Sequence, residues 1–360
     1  MQNKKYMLGL VPILLFSSLL MLLLSACGTS TLATVAPPVI QGPTLDPTLA
    51  RQGSTELQTF QNWIALMKQY GGDVKVYQKQ YVSDQHALQI ATTDATYKVA
   101  LKTLSAHINV IQIPALQTEA SQLHQQLQQK ASAWSQKHTY YDSYDGVTYN
   151  LGYEYGAAGS DGMIQDELSA AQTVADYQQA IEDINMYAAS FNAMVNNAND
   201  KTPYTQQHAT DMQLMKYYHA SGLVVVVSLQ EEAMRVYQDG QLIKVFQATT
   251  GRPSHPSLPG FWHVEDMESP TVFKSGAPVG SPDYYPDTKI NYAMQYHSDG
   301  YFLHDSWWRA DYGPGTNFPH QDASGNDSAN QGSHGCVNLT TDNARWLYNQ
   351  VQIGTNVIIY

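Results

Sequence analysis

Near the C-terminus, Gly332-Ser333-His334-Gly335-Cys336-Val337-Asn338 sets a histidine, two glycines and a cysteine within five residues. The chain has two cysteines. The other, Cys27, has a separate use described below, so Cys336 has no spare disulfide partner. A lone thiol is either buried and inert or reactive. The flanking glycines let backbone N–H groups approach whatever binds the sulfur. A nearby imidazole can hold the sulfur as thiolate, its nucleophilic form. Zinc is the competing chemistry, because His304, His320, His334 and Cys336 are ligands by type. His334 and Cys336 stand only two apart in a glycine loop, however, and no paired-ligand spacing surrounds them. Asp305, Asp322, Asp327 and Asp342 show no calcium-loop spacing. No metal or organic cofactor is expected.

The elements around this loop read as mostly β from residue 222 to 360. Leu223 to Leu229 contains four consecutive valines, the pattern of a buried strand. Ala233 to Tyr237 and Leu242 to Ala248 flank Asp239-Gly240, a hairpin with a two-residue turn. Prolines and glycines between Pro253 and Pro286 mark short strands and loops. A helix over about 341–348 and a last strand over 356–360 follow the cysteine. The expected architecture is a sandwich or partly closed barrel.

Residues 54–220 differ in kind, being rich in Gln, Ala, Leu, Met and Tyr. Ser54 with Leu57, Phe60, Ile64 and Met67 predicts a capped amphipathic helix closed by Gly71-Gly72. Helix is expected over about 84–138 with a break near Pro114, over 163–197, and over 205–218. A tyrosine- and glycine-rich interruption spans 140–162. This half reads as a helical bundle acting as a spacer or docking module, its tyrosines packing more readily than lining a sugar site. The fold class is therefore α+β, a helical bundle domain followed by a mostly β domain.

The N-terminus carries Lys4 and Lys5, an apolar run from Tyr6 to Leu24, and Leu24-Ser25-Ala26-Cys27. A charged start, an apolar core and small residues before a cut form a secretory signal. Its ending resembles the bacterial lipobox, which implies a signal peptide over 1–26 and lipidation of Cys27. A membrane anchor is the other reading, and both place the rest outside the cytoplasm. Residues 27–53 hold four prolines and little charge, and read as a linker. The formal charge is −12, or −14 once Lys4 and Lys5 leave with no acid. An acidic chain argues against nucleic-acid binding and against a polybasic hold on lipid.

Taken together, the strand-turn-strand of 224–251, Tyr301-Phe302-Leu303-His304-Asp305 and Ser333-His334-Gly335-Cys336-Val337-Asn338-Leu339 resemble the catalytic domain of bacterial L,D-transpeptidases, the YkuD domain, over about 222–360. The resemblance implies an acyl-enzyme on Cys336 formed from a peptidoglycan stem tetrapeptide, then transfer to a neighbouring stem's amine as a 3→3 cross-link. It implies His304 as general acid/base with the Asp305 carbonyl as orienting acceptor, and His334 as a residue that binds substrate or tunes the thiolate. The N–H groups of Gly335 and Cys336 would form the oxyanion hole. Ser333 and Asn338 would hold the loop or substrate amides. Tyr292, Tyr301, Trp307 and Trp308 would wall the cleft, and His297 would be a surface or packing residue. Carbapenem-type β-lactams would acylate Cys336.

One interval departs from the family's spacing. From His304 to Ser333 the chain is long, and Trp307, Trp308, Gly313, Pro314, Gly315, His320 and Gly325 read as an insertion beside the site, a candidate lid. His320 is a rival base by its distance from Cys336, but His304 has the strand-end Leu-His-Asp context. Two other functions stay open: an L,D-carboxypeptidase of the same fold, and a non-catalytic wall-binding lipoprotein.

Overall fold

The four-valine strand is buried on both faces because it lies between a layer of helices and a second sheet. In the computed structural model, which describes residues 45–281 and 284–360, the chain runs through α1 (Pro47–Gln69), α2 (Lys75–Ile90) and α3 (Asp94–Ser135), the hairpin β1 (Thr139–Tyr141) and β2 (Thr148–Asn150), then α4 (Ser160–Ala170), α5 (Val174–Asn197) and α6 (Ala209–Tyr217). Then follow β3 (Leu223–Ser228), β4 (Ala233–Gln238), β5 (Gln241–Gln247), β6 (Gly260–His263), β7 (Asp266–Glu268), β8 (Thr271–Phe273), β9 (Thr288–Ile290), β10 (Ala293–His297), β11 (Tyr301–Asp305), β12 (Val337–Leu339), α7 (Thr341–Tyr348) and β13 (Asn356–Ile359). The leader, Cys27 and most of the linker lie outside the described residues. No described helix is long and apolar enough to cross a membrane.

Five strands in the order β5-β4-β3-β13-β6 form one sheet, and β12-β11-β10-β7 form another. Val225, Val227, Val357 and Ile359 point into the core between these sheets, with Met294, Leu303, Val337 and Leu339. Val224, Val226 and Ile358 point the other way, against Ile184, Tyr187, Phe191 and Met194 of α5 and Leu214 and Met215 of α6. Strict side-chain alternation with both faces covered gives an unbroken apolar run in place of a polar-apolar one. The β half is an open pair of sheets, not a barrel. Asp239 and Gly240 both take positive φ, 51° and 79°, as a two-residue hairpin turn requires.

The helical half divides in two. α1, α2 and the first half of α3 close one core around Phe60, Leu104 and Ile111. The second half of α3 joins α5, α6 and the sheet in another core. Three sequence expectations change here. Helix begins at Pro47, inside the stretch read as linker. The Asp46 carboxylate caps it by accepting the Thr48 N–H at 2.8 Å, with Pro47 at the first helical position. Ser54 is consequently interior, its hydroxyl donating to the Ala50 carbonyl. α3 runs through Pro114 without ending. Burial of Ile111, Ala115 and Leu116 on both sides outweighs a proline's usual cost of about 3 kcal/mol. The helix expected over 163–197 is two, separated at Ala171–Thr173, where Thr173 and Asp176 form a capping box.

The halves are locked by charge as well as by packing. Asp211 of α6 is fully buried and accepts from Arg235 Nε at 2.5 Å, Tyr237 Oη at 2.6 Å and Tyr360 Oη at 2.6 Å. Arg235 also donates to Tyr360 Oη and Glu231.

Candidate active site

Parallel pairing of β11 with β12 assembles the site. The register sets Leu303 beside Val337 and His304 beside Asn338, so Cys336, one residue before β12, falls next to Phe302. His304 is buried, 4% exposed. Its Nδ1 lies 2.9 Å from the Asp305 carbonyl oxygen, an acceptor, so Nδ1 carries the proton and Nε2 keeps its lone pair. Nε2 lies 3.0 Å from Asn338 Nδ2 and accepts from it. Burial lowers the His304 pKa from its ordinary value to about 4, which keeps the imidazole neutral. Phe273 covers this face, its ring centroid 4.6 Å from Phe302 and 5.1 Å from His304.

The Cys336 thiol is half-buried and donates to the Gly300 carbonyl at 3.6 Å. Among the described residues it makes no hydrogen bond to an imidazole. Burial pushes the thiol up to about 12. The resting pair is therefore a neutral thiol and a neutral imidazole, not the expected thiolate held by a ring. Alkylation of Cys336 by iodoacetamide should then climb about tenfold per pH unit from about pH 6 to 10 without levelling. Peptide mass spectrometry of Cys336 reads this rate, and a plateau above neutral pH would show a preformed ion pair.

The loop that carries the sulfur is held from beneath. Ser333 Oγ donates to the Cys336 carbonyl and accepts the Gly335 N–H. That N–H is thereby occupied within the loop. Gly335 has φ of 109°, and a Cβ there would stand 2.8 Å from the Tyr301 ring, so both conformation and space require glycine. Thr250 and Arg252 grip Ser333: its N–H donates to the Thr250 carbonyl at 2.9 Å and its carbonyl accepts from the Arg252 N–H at 3.1 Å. Asn338 is likewise paired with Thr249 through both backbone groups.

The remaining expected residues sort by position. His334 is exposed, with its ring 5.2 Å from His255 and 5.4 Å from Tyr285. Tyr301 packs under Gly335, and Trp308 lies 6.2 Å from His304 with Trp307 edge-on beyond it. Asn338, expected to hold the loop or substrate amides, is buried with its side-chain amide on His304 Nε2. The Asp305 carboxylate points away, accepting from the N–H groups of Asn291 and Tyr292 at 2.7 and 2.9 Å, and so fixes the turn before β10. Tyr292 packs on Tyr348 of α7. His297 packs between Trp262 and Tyr301.

His320 is tied into the insertion: its Nδ1 meets the Phe318 carbonyl at 2.8 Å, and its Nε2 is 3.9 Å from Asp322. The insertion is strapped down and does not form a free lid. Arg309 donates to the carbonyls of Ala329 and Gln331 at 2.8 and 2.7 Å, and Asp322 accepts from the N–H groups of Ala310 and Asp311. Phe318 stacks on Tyr140 of the β1–β2 hairpin at 4.6 Å and meets Tyr149 at a tilt at 5.0 Å. This packing is what the tyrosine-rich interruption does. The sequence reading missed Thr250, Ser257, Phe273 and Tyr285, none of which stands in a motif.

Two buried carboxylates lie behind the loop. Glu232 accepts from the Thr250 N–H and hydroxyl, and burial raises it to about 8. Burial raises Glu154 to about 7. A carboxyl raised this way is protonated when folded but ionised when unfolded above its ordinary pKa near 4.5. Its contribution is therefore complete below that value and lost as pH rises to about 7. Glu154→Gln should raise the thermal midpoint at pH 8, by about 3 kcal/mol of stability at most, and change little at pH 4. Equal effects at both pH values would count against this assignment.

Residues 222–359 match the family described as the L,D-transpeptidase catalytic domain, YkuD. L,D-transpeptidase 1 of Mycobacterium tuberculosis is 29% identical over 135 residues, which is 37% of this chain and 48% of that protein. The chain thus spans about half the length of that curated relative. A solved structure of the L,D-transpeptidase LdtMt1 in complex with imipenem is 26% identical, over 39% of this chain and 59% of that one, with a TM-score of 0.32. L,D-transpeptidase 3 from M. tuberculosis in complex with a faropenem-derived adduct is 28% identical, over 38% and 60%, with a TM-score of 0.31.

Proposed function

We propose, from the premise that residues 222–359 belong to the YkuD family of L,D-transpeptidase catalytic domains, that the protein is a cysteine acyltransferase of peptidoglycan stem peptides. The Cys336 sulfur attacks the carbonyl of the third stem residue, and its proton passes to His304 Nε2. The C–N bond to the terminal D-alanine breaks, and the leaving amine takes that proton. A thioester results. The amine of a neighbouring stem then attacks the thioester, gives up its proton through Nε2 and restores the thiol, leaving a 3→3 cross-link.

The observation that carries this reading is the His304 tautomer. With Nδ1–H committed to the Asp305 carbonyl, Nε2 is the base, one strand over from the sulfur. Diagonal neighbours on adjacent strands stand about 7–8 Å apart, so reaction requires two small movements. Cys336 turns off the Gly300 carbonyl, and the Asn338 amide yields Nε2. The developing oxyanion is received by the Cys336 N–H. His334, His255 and Tyr285 stand at the mouth, where a stem peptide enters. A β-lactam presents a strained amide to the same sulfur, so imipenem acylates Cys336. Lipidation at Cys27 and the linker place the enzyme outside the cytoplasm, at the membrane surface.

The test is incubation of the full chain in detergent with disaccharide-tetrapeptide, followed by mass spectrometry. A cross-linked dimer with release of D-alanine supports the reading. A tripeptide alone makes water the acceptor and the protein an L,D-carboxypeptidase. No product, together with a protein mass unchanged by imipenem, makes it a non-catalytic wall-binding protein.

A further inference from the structure

We infer that Tyr153, contributed by the helical half, is a positioning residue for the nucleophile loop, so that this half is part of the active-site framework and not a spacer. The inference rests on the acyl-transfer reading for the reaction that it serves. Tyr153 follows Gly152, whose φ is 72° and where a Cβ would stand 3.1 Å from the Trp134 ring. That close seat against α3 fixes where the tyrosine begins. Its ring meets Phe318 edge-on at 6.0 Å. Its hydroxyl donates to the Gly251 carbonyl at 2.8 Å and accepts from Asn317 Nδ2 at 2.8 Å. Burial holds the phenol far above its ordinary range, so it remains a neutral donor.

Gly251 is the centre of the grip on the loop. It forms a parallel bridge with Ser333, and its two neighbours bond both sides of Ser333. The Gly251 N–H donates to Ser257 Oγ at 2.9 Å, and that hydroxyl donates to the Gly335 carbonyl at 2.7 Å. One residue, Gly251, thus receives Tyr153 on its carbonyl and passes the constraint from its N–H through Ser257 to the residue before Cys336. There is no slack in between. A Cβ on Gly251 would fall 2.2 Å from the His255 carbonyl oxygen, and one on Gly332 would fall 2.7 Å from the Arg252 nitrogen.

Asn317 explains the long interval between His304 and Ser333. The insertion brings a side chain to the same hydroxyl, so helical half, insertion and loop meet at one oxygen. Packed, hydrogen-bonded contacts of this kind shift as a block, and a misplacement of about 1 Å at a reacting group can cost about 100-fold in rate.

The experiment compares wild type, Tyr153→Phe, Ser257→Ala and the double variant, each as the full chain in detergent. Two rates at Cys336 are followed by mass spectrometry: acylation by imipenem at saturation, and alkylation by iodoacetamide across pH. Tyr153→Phe keeps the ring on Phe318 and removes only the hydroxyl. The expected result is an acylation rate about 10-fold lower or more, at an unchanged half-saturating concentration, with a shifted alkylation profile. Ser257→Ala should reproduce it, and the double variant should lose no more than either single one, because the two act in one relay. Wild-type rates in Tyr153→Phe overturn the inference, as do additive losses in the double variant. Should Tyr153→Phe fail to fold, Ser257→Ala alone decides, and a wild-type rate there overturns it. If wild type is not acylated at all, the acyl-transfer reading falls, while the alkylation profiles still judge the role of Tyr153.

Discussion

Replacing His304 with Gln should slow acylation of Cys336 by about 10²–10⁴-fold, whereas His320→Ala should leave the rate near wild type. Spacing along the chain favours neither residue cleanly, since the insertion lengthens one interval and makes the other look usual. Topology separates them. His304 is fixed by strand register beside the residue two after the cysteine. Its Nδ1–H is committed to the Asp305 carbonyl, so its basic nitrogen is defined before substrate arrives. His320 spends its Nδ1 on the Phe318 carbonyl and stands within a segment pinned by Arg309 and Asp322. Gln keeps the polarity of the buried site and can still meet Asn338, but it cannot take a proton at neutral pH. Adduct mass after timed exposure to imipenem gives the rate for each variant. Loss in His320→Ala with retention in His304→Gln would reverse the assignment and require the insertion to refold over the sulfur.

The divide between what was legible in the sequence and what was not follows the range of the interactions. Asp239-Gly240, the valine run and helix 341–348 are local patterns, and each appears where its residues predict it. The Ser-His-Gly-Cys-Val-Asn motif marks the loop because glycine and thiol chemistry are written into residue type. The partner of His304 is not local. Only the parallel pairing of β11 with β12 shows that Asn338 holds the imidazole, and no composition reveals a register between strands separated by 31 intervening residues, 306–336. Pro47 and Pro114 misled for the opposite reason. Proline is a punctuation mark in isolation, but a capping Asp46 makes one a helix start, and buried neighbours carry the helix through the other. The tyrosines of 140–153 could be read only as aromatic, since their purpose depends on Phe318 and Gly251, about 100 to 180 residues away in the sequence.

Asp211→Ala should destabilise the whole described chain by about 3–5 kcal/mol, and not merely loosen α6. The carboxylate is completely buried and receives Arg235, Tyr237 and Tyr360 at once. Removing it leaves a guanidinium in the protein interior with Glu231, Tyr360 and a long contact to the Tyr204 carbonyl to answer it, together with two tyrosine hydroxyls, Tyr237 and Tyr360, without their acceptor. Arg235 and Tyr360 belong to the β half, and Asp211 to the helical half, so the loss falls on both. If the helical half were a detachable spacer, urea unfolding of Asp211→Ala would show an early transition for the helices followed by an unchanged β transition. The shared core of Val224, Val226 and Ile358 with α5 and α6 predicts instead one transition moved to lower urea. Asp211→Leu combined with Arg235→Met should recover much of the loss, because an apolar pair of similar volume removes the stranded charge. Two separated transitions, or a loss below about 1 kcal/mol, would show that this ion pair does not join the halves.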